Sequence, residues 1–103
     1  MNTARIQQLL AFMQEEPTDP FNVYALALEY LTDAPGESLR YFGELLTNHP
    51  DYLPTYYHAA QLCADLGDET RATMLYERGI TLAGQQRNTK AERELRSALQ
   101  TLE

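Results

Sequence analysis

Apolar positions recur along the chain with helical spacing in six stretches, separated by proline, glycine and asparagine. Residues 3–15 set Ile6, Leu9, Leu10 and Met13 on one face, three or four positions apart. Pro17 ends that stripe, because proline lacks a helix donor and its ring clashes with the preceding turn. Asp19–Pro20 has the form of an N-cap followed by a first helical residue. The helix predicted over 20–32 turns Val23, Leu26, Ala27 and Tyr30 inward, and Asp33-Ala34-Pro35-Gly36 predicts a turn. The next helix, 37–48, carries Leu39, Phe42, Leu45 and Leu46 before Asn48-His49-Pro50 stops it.

The same grammar follows in the second half. Asp51 reads as the cap of a helix over 52–66, with Pro54 in its first turn. Gly67 suits a left-handed helix end and Asp68 caps the next start. Residues 69–83 present Ala72, Leu75, Tyr76 and Leu82, and Gly84 closes them. Thr89-Lys90-Ala91-Glu92 has capping-box spacing and opens a last helix over 90–102 with Ala91, Leu95, Ala98, Leu99 and Leu102 aligned. No segment alternates with the period of a strand, so the chain reads as all-α.

The two central helix pairs repeat one pattern. Val23, Leu26, Ala27 and Tyr30 fall on Tyr56, Ala59, Ala60 and Cys63 when moved by 33 residues. Phe42, Leu45 and Pro50 fall on Tyr76, Gly79 and Gly84 when moved by 34, which places a one-residue deletion between Tyr30 and Phe42. A period of this size marks a helix–turn–helix unit that buries its apolar face only by stacking on a neighbour.

Residues 20–84 resemble two tandem tetratricopeptide repeats. The resemblance rests on that period, on Tyr56…Ala59-Ala60…Cys63 with Gly67–Asp68 in the turn, and on Ala72…Tyr76…Gly79…Gly84. In the first unit it rests on Val23…Leu26-Ala27…Tyr30 and Ser38…Phe42…Leu45…Pro50. Val23 stands where a large aromatic is usual, Cys63 where tyrosine is usual, and Leu45 and Gly79 where alanine is usual. Gly79 in mid-helix costs about 1 kcal/mol against alanine, which implies close helix contact there. The resemblance implies a short right-handed α-solenoid of antiparallel helix pairs, about six helices in one domain. An N-terminal helix (3–16), repeat 1 (20–50), repeat 2 (53–84) and a C-terminal capping helix (89–102) make it up.

The first helices of such repeats line a concave groove. Carried over position by position, the groove residues are Phe21, Tyr24, Ala25, Leu28, Leu31 and Thr32, then Pro54, Tyr57, His58, Gln61, Ala64 and Asp65. Some repeats of this family clamp a peptide's terminal carboxylate with lysine, arginine and asparagine at these positions, and none of those residues stands there. The groove implied is aromatic and weakly polar, suited to a peptide or helix with apolar anchors. Phe21, Tyr24, Leu28, Leu31, Tyr57, His58, Gln61 and Asp65 are the binding residues expected. The occupant is a partner protein or, equally, the chain's own kind: its own first or last helix, or a second copy making a homodimer.

Charge narrows the partners. The 103 residues carry a net −7. Residues 1–52 hold eight acids against Arg5 and Arg40, whereas 53–103 hold seven acids against six bases. Such a balance repels phosphate backbones and anionic membranes, so neither nucleic acid nor membrane is expected. A single cysteine makes no internal disulfide, residues 1–13 have no signal-peptide pattern, and no run approaches a membrane span, so a cytoplasmic location is expected.

Reactive groups are few. Cys63 replaces a packing residue, has no basic neighbour in sequence and reads as a buried, inert thiol. His49 and His58 lack metal-ligand clustering; His58 reads as polar lining and His49 as a helix-end cap. Ser38 stands at a close-packed position and Ser97 on the terminal helix, and the Glu15–Glu16 and Asp68–Glu69 pairs lie at helix ends. With no nucleophile elbow, phosphate loop or metal motif, neither enzyme activity nor a cofactor is expected.

Overall fold

A computed structural model describes Asn2–Glu103. Among the described residues there are six helices and no strand: α1 (Thr3–Glu15), α2 (Pro20–Tyr30), α3 (Pro35–Asn48), α4 (Pro54–Asp65), α5 (Glu69–Gln85) and α6 (Thr89–Leu102). They form two compact units that meet in sequence between Tyr52 and Leu53, each with its own helix packing.

Helix starts follow a simple rule. Where a helix opens without proline, an Asx side chain accepts from the backbone N–H three residues on: Asn2 from Arg5 at 3.0 Å, Asp68 from Arg71 at 3.1 Å, Asn88 from Ala91 at 3.0 Å. In α2 both devices combine, Asp19 accepting from Phe21 N–H at 2.9 Å and Pro20 following. Helices α3 and α4 open on Pro35 and Pro54 and have no side-chain cap. Proline brings no N–H, so one of the unpaired donors of the first turn never arises.

That rule corrects several expectations. Pro35 and Gly36 lie in the first turn of α3, not in the preceding connection. Asp51 is not the N-cap of α4; it is exposed in a turn, and Leu53 holds that position. Thr89 is the first residue of α6 and its cap is Asn88. Helix α2 ends at Tyr30, with Leu31 as its C-cap.

The two connections of the second unit are built alike. Gly67 takes a left-handed φ of +88° and donates to Ala64 at 3.0 Å, while Asp68 N–H donates to Cys63 at 2.8 Å. Arg87, not Gly84, occupies the corresponding position after α5, with φ +56° and bonds from Arg87 to Gly84 and from Asn88 to Ala83. Both are Schellman endings. Asp68 and Asn88 therefore serve two helices each: the backbone N–H closes the old one and the side chain caps the new. Connections this short make α4, α5 and α6 successively antiparallel.

In the first unit, α2 packs against both α1 and α3. Leu26, Ala27, Phe42 and Leu45 are wholly buried, with Leu9 and Ile6 contributed by α1. The Ser38 hydroxyl, buried at the α2–α3 contact, donates to the Ala27 carbonyl at 2.6 Å. Tyr30 stacks on Tyr41 at 5.9 Å, half-buried rather than in the core. Leu39 and Leu46 are half-buried as well. In the second unit α5 packs against both α4 and α6, burying Tyr56, Ala59, Ala60, Cys63, Ala72, Leu75, Tyr76 and Leu95. Gly79 is the closest approach: a Cβ there would lie 2.8 Å from Tyr56 Cβ and 3.1 Å from Leu95 Cδ1. The mid-helix glycine is explained by contact on both sides, as its cost implies.

The assignment of the α6 cap is open to a direct check. Asn88→Ala removes the acceptor for Ala91 N–H and should cost about 1 kcal/mol of unfolding free energy. Thr89→Ala, at the first helical position, should change it by less than about 0.5 kcal/mol. Denaturant titration of both variants measures the difference, and equal losses would return the cap to Thr89.

Candidate functional site

The α4 positions Tyr57, Gln61, Ala64 and Asp65 recur at helical spacing and form one wall of a cleft in the second unit. Helix α6 forms the other wall with Glu94, Ser97, Ala98, Thr101 and Leu102, and Tyr76 of α5 lies at the floor. The cleft encloses about 530 Å³. Its geometry follows from α5: both neighbours pack on that helix, and the flanks they do not use for packing face each other.

The floor is aromatic. Tyr76 is only 2% exposed, and Tyr57 meets it edge-on with ring centres 6.4 Å apart. Burial, then the neighbouring Tyr57 and Asp65, pushes the Tyr76 phenol above its usual range, so it stays protonated. Tyr57 is 38% exposed, an amphipathic ring at the rim. Gln61 donates to Asp65 at 3.1 Å, holding that carboxylate at the end of α4. The Thr101 hydroxyl donates to the Ser97 carbonyl of its own helix, at 3.0 Å.

Of the expected groove residues, Tyr57, Gln61, Ala64 and Asp65 are brought together in this cleft. His58 is half-buried beside Tyr57, ring centres 5.5 Å apart, and is not part of the lining. Burial holds its imidazole below the ordinary histidine range, so it is neutral at pH 7. Pro54 is exposed at the start of α4.

In the first unit, Phe21 is 52% exposed on α2, and Leu28 and Leu31 are half-buried. Tyr24 meets Tyr52 edge-on at 5.6 Å, and burial followed by the Tyr52 phenol raises its pKa. Thr32 is exposed beyond the helix. Ala25 is a correction: at 7% exposure it belongs to the core. A separate hollow of about 350 Å³ in this unit is bordered by Met13, Pro17, Val23 and His49, none of them an expected site residue.

Sequence reasoning missed the α6 wall. Glu94, Ser97 and Thr101 resemble a solvated face, whereas each flanks the Ala91-Leu95-Ala98-Leu102 stripe on the side turned to α4. That stripe also divides its work. Leu95 packs on Gly79, Leu102 borders the cleft, and Leu99 sits with Ile80 in a shallow hollow elsewhere on the unit. Among the described residues no group of three His, Cys, Asp or Glu side chains is placed to hold a metal, and no helix is long and apolar enough to cross a membrane.

Comparison with known proteins gives one clear result. The chain is similar to a tetratricopeptide repeat domain protein from Salinibacter ruber. Its crystal structure is 38% identical with a TM-score of 0.78, over 82% of this chain and 94% of that one. The solution NMR structure from the same organism is 38% identical with a TM-score of 0.81, over 85% and 90% of the two chains. No protein-family model matches the chain. No curated protein matches it.

Cys63 lies on the core side of α4, 2% exposed. Burial chiefly pushes its thiol up; Arg71 pulls it down and Asp68 raises it. Since the thiolate is the nucleophile, an aqueous maleimide should label native protein at least about tenfold more slowly than protein in denaturant. Equal rates, followed by mass spectrometry, would put the thiol on the surface.

Proposed function

The chain belongs to the tetratricopeptide repeat family, and from that premise we propose that it binds a segment of another protein along the exposed flank of α4. Helical repeats of this family are protein-interaction modules in general, with typically no catalysis of their own. The observation that carries the finer reading is the α4–α6 cleft. It joins a half-exposed tyrosine to small side chains that give it depth and to hydroxyl and carboxylate groups at its rim. Interfaces favour that combination: aromatics supply contact area at low entropic cost, and a polar rim tolerates water. A volume of about 530 Å³ accommodates a few side chains of a peptide rather than a whole domain. On α2, exposed Phe21 together with Tyr24, which meets Tyr52 of the segment after α3, offers aromatic groups for the same kind of contact. A cytoplasmic setting fits this role.

Self-association is the competing occupancy, and one experiment separates the two. A photoreactive phenylalanine analogue in place of Tyr57 should, on irradiation in cells, attach to a partner of different mass. The analogue in place of Met74, exposed on α5 and outside the cleft, should not. A product of twice 11.8 kDa from the Tyr57 position would show that the chain fills its own cleft. Crosslinking from Met74 alone would move the binding surface off α4.

A further inference from the structure

The second unit segregates its charge. It holds six cations, Arg71, Arg78, Arg87, Lys90, Arg93 and Arg96, against seven acids. None of the six lines the α4–α6 cleft, whereas Asp65 and Glu94 both do. Arg96 instead pairs with Glu92 at 3.0 Å and borders the hollow beside Leu99. Neither Asp65 nor Glu94 has a cationic partner: Asp65 accepts only from neutral Gln61, and Glu94 makes no hydrogen bond or ion pair with a described residue.

The two carboxylates also differ in place. Asp65 is the last residue of α4 and Glu94 lies in the second turn of α6. Because α4 and α6 each run antiparallel to α5, they are parallel to each other, and the carboxylates stand toward opposite ends of the cleft on opposite walls. The lining of each helix runs from Tyr57 to Asp65 and from Glu94 to Leu102, eight steps along the helix, or about 12 Å at 1.5 Å per residue. Between them lie Tyr76, Ala64 and Ala98, with room and no charge.

We propose that this cleft takes a partner segment bearing two basic side chains, one for each end, with an apolar residue such as leucine over the middle. In an extended segment, residues four apart project from the same side at about 13 Å, which matches the length of the cleft. A basic side chain would lay its aliphatic stem on the Tyr57 ring and bring its charge to a waiting carboxylate. The inference rests on the peptide-binding reading above and adds the charge and spacing of the ligand.

The test uses three blocked peptides on the full chain: acetyl-Arg-Ala-Leu-Ala-Arg-amide, its form with citrulline at both arginines, and its form with glutamate there. Amide resonances of the isotope-labelled protein report where each binds. The arginine peptide should shift Gln61, Asp65, Ser97 and Thr101, and should bind about fivefold more tightly than the citrulline peptide at low salt. That advantage should shrink at high salt. The double variant D65N/E94Q keeps side-chain shape and should fold as judged by its far-ultraviolet spectrum, yet bind the arginine and citrulline peptides alike. Equal binding of citrulline or glutamate peptides to the native cleft overturns the charge proposal and leaves a peptide groove standing. Shifts outside the cleft, or none with any peptide, also overturn it. The crosslinking from Tyr57 then judges the groove independently.

Discussion

A missing β-carbon organises the second unit. At Gly79 the α5 backbone is bare, and Tyr56 of α4 and Leu95 of α6 come in against it from either side. A methyl group there would stand 2.8 Å from Tyr56 Cβ, an atom fixed to its own backbone and unable to swing away. Both outer helices thus reach α5 at one level, and Tyr76, three residues before Gly79, becomes the floor of the space left between them. The cleft follows from this packing. Its depth comes from how closely α4 and α6 approach α5, and its chemistry from whichever side chains sit on the flanks left over.

Corresponding positions of the two units show the same constraint met by different residues. The unit with Tyr56 has Gly79; the unit with Val23 has Leu45, in the same two places of the repeat. All four are buried. Bulk moves from one helix of the pair to the other, a compensated change that close-packed interiors tolerate better than a one-sided one. The shared connections add economy: Asp68 and Asn88 each end one helix and start the next, so no spare residue separates elements that must pack tightly. Arg87 holds a left-handed conformation that glycine holds at Gly67, a cost an ordinary side chain bears because the Schellman bonds fix the turn.

Periodicity made the helices legible, since one apolar face recurs every 3.6 residues whatever surrounds it. Gly79 was legible for a related reason: glycine in the middle of a strong helical pattern demands a packing cause. The ends were less so. Asp51 and Thr89 are cap residues by type, but proline at Pro54 removes the need for one, and Asn88 stands one residue earlier than the capping-box spacing suggests. The site was half legible. Repeat position assigns Tyr57, Gln61 and Asp65 to an exposed flank of α4, but only packing reveals that α6 faces them. Nothing in the spacing of Glu94, Ser97 and Thr101 distinguishes the wall of a cleft from a solvated helix face. Ala25 failed for the opposite reason: its neighbours Tyr24 and Leu28 are partly exposed, while its own small side chain is turned into the core.

Thermal and denaturant unfolding of a Gly79→Ala variant tests this account most directly. Helix propensity alone favours alanine by about 1 kcal/mol. If the bare backbone at Gly79 sets the approach of α4 and α6, the added methyl must displace Tyr56 and Leu95, and the variant should be destabilised by about 1–3 kcal/mol despite that gain. A variant as stable as the native protein, or more so, would contradict the account. The cleft would then owe its form to something other than the contact at Gly79.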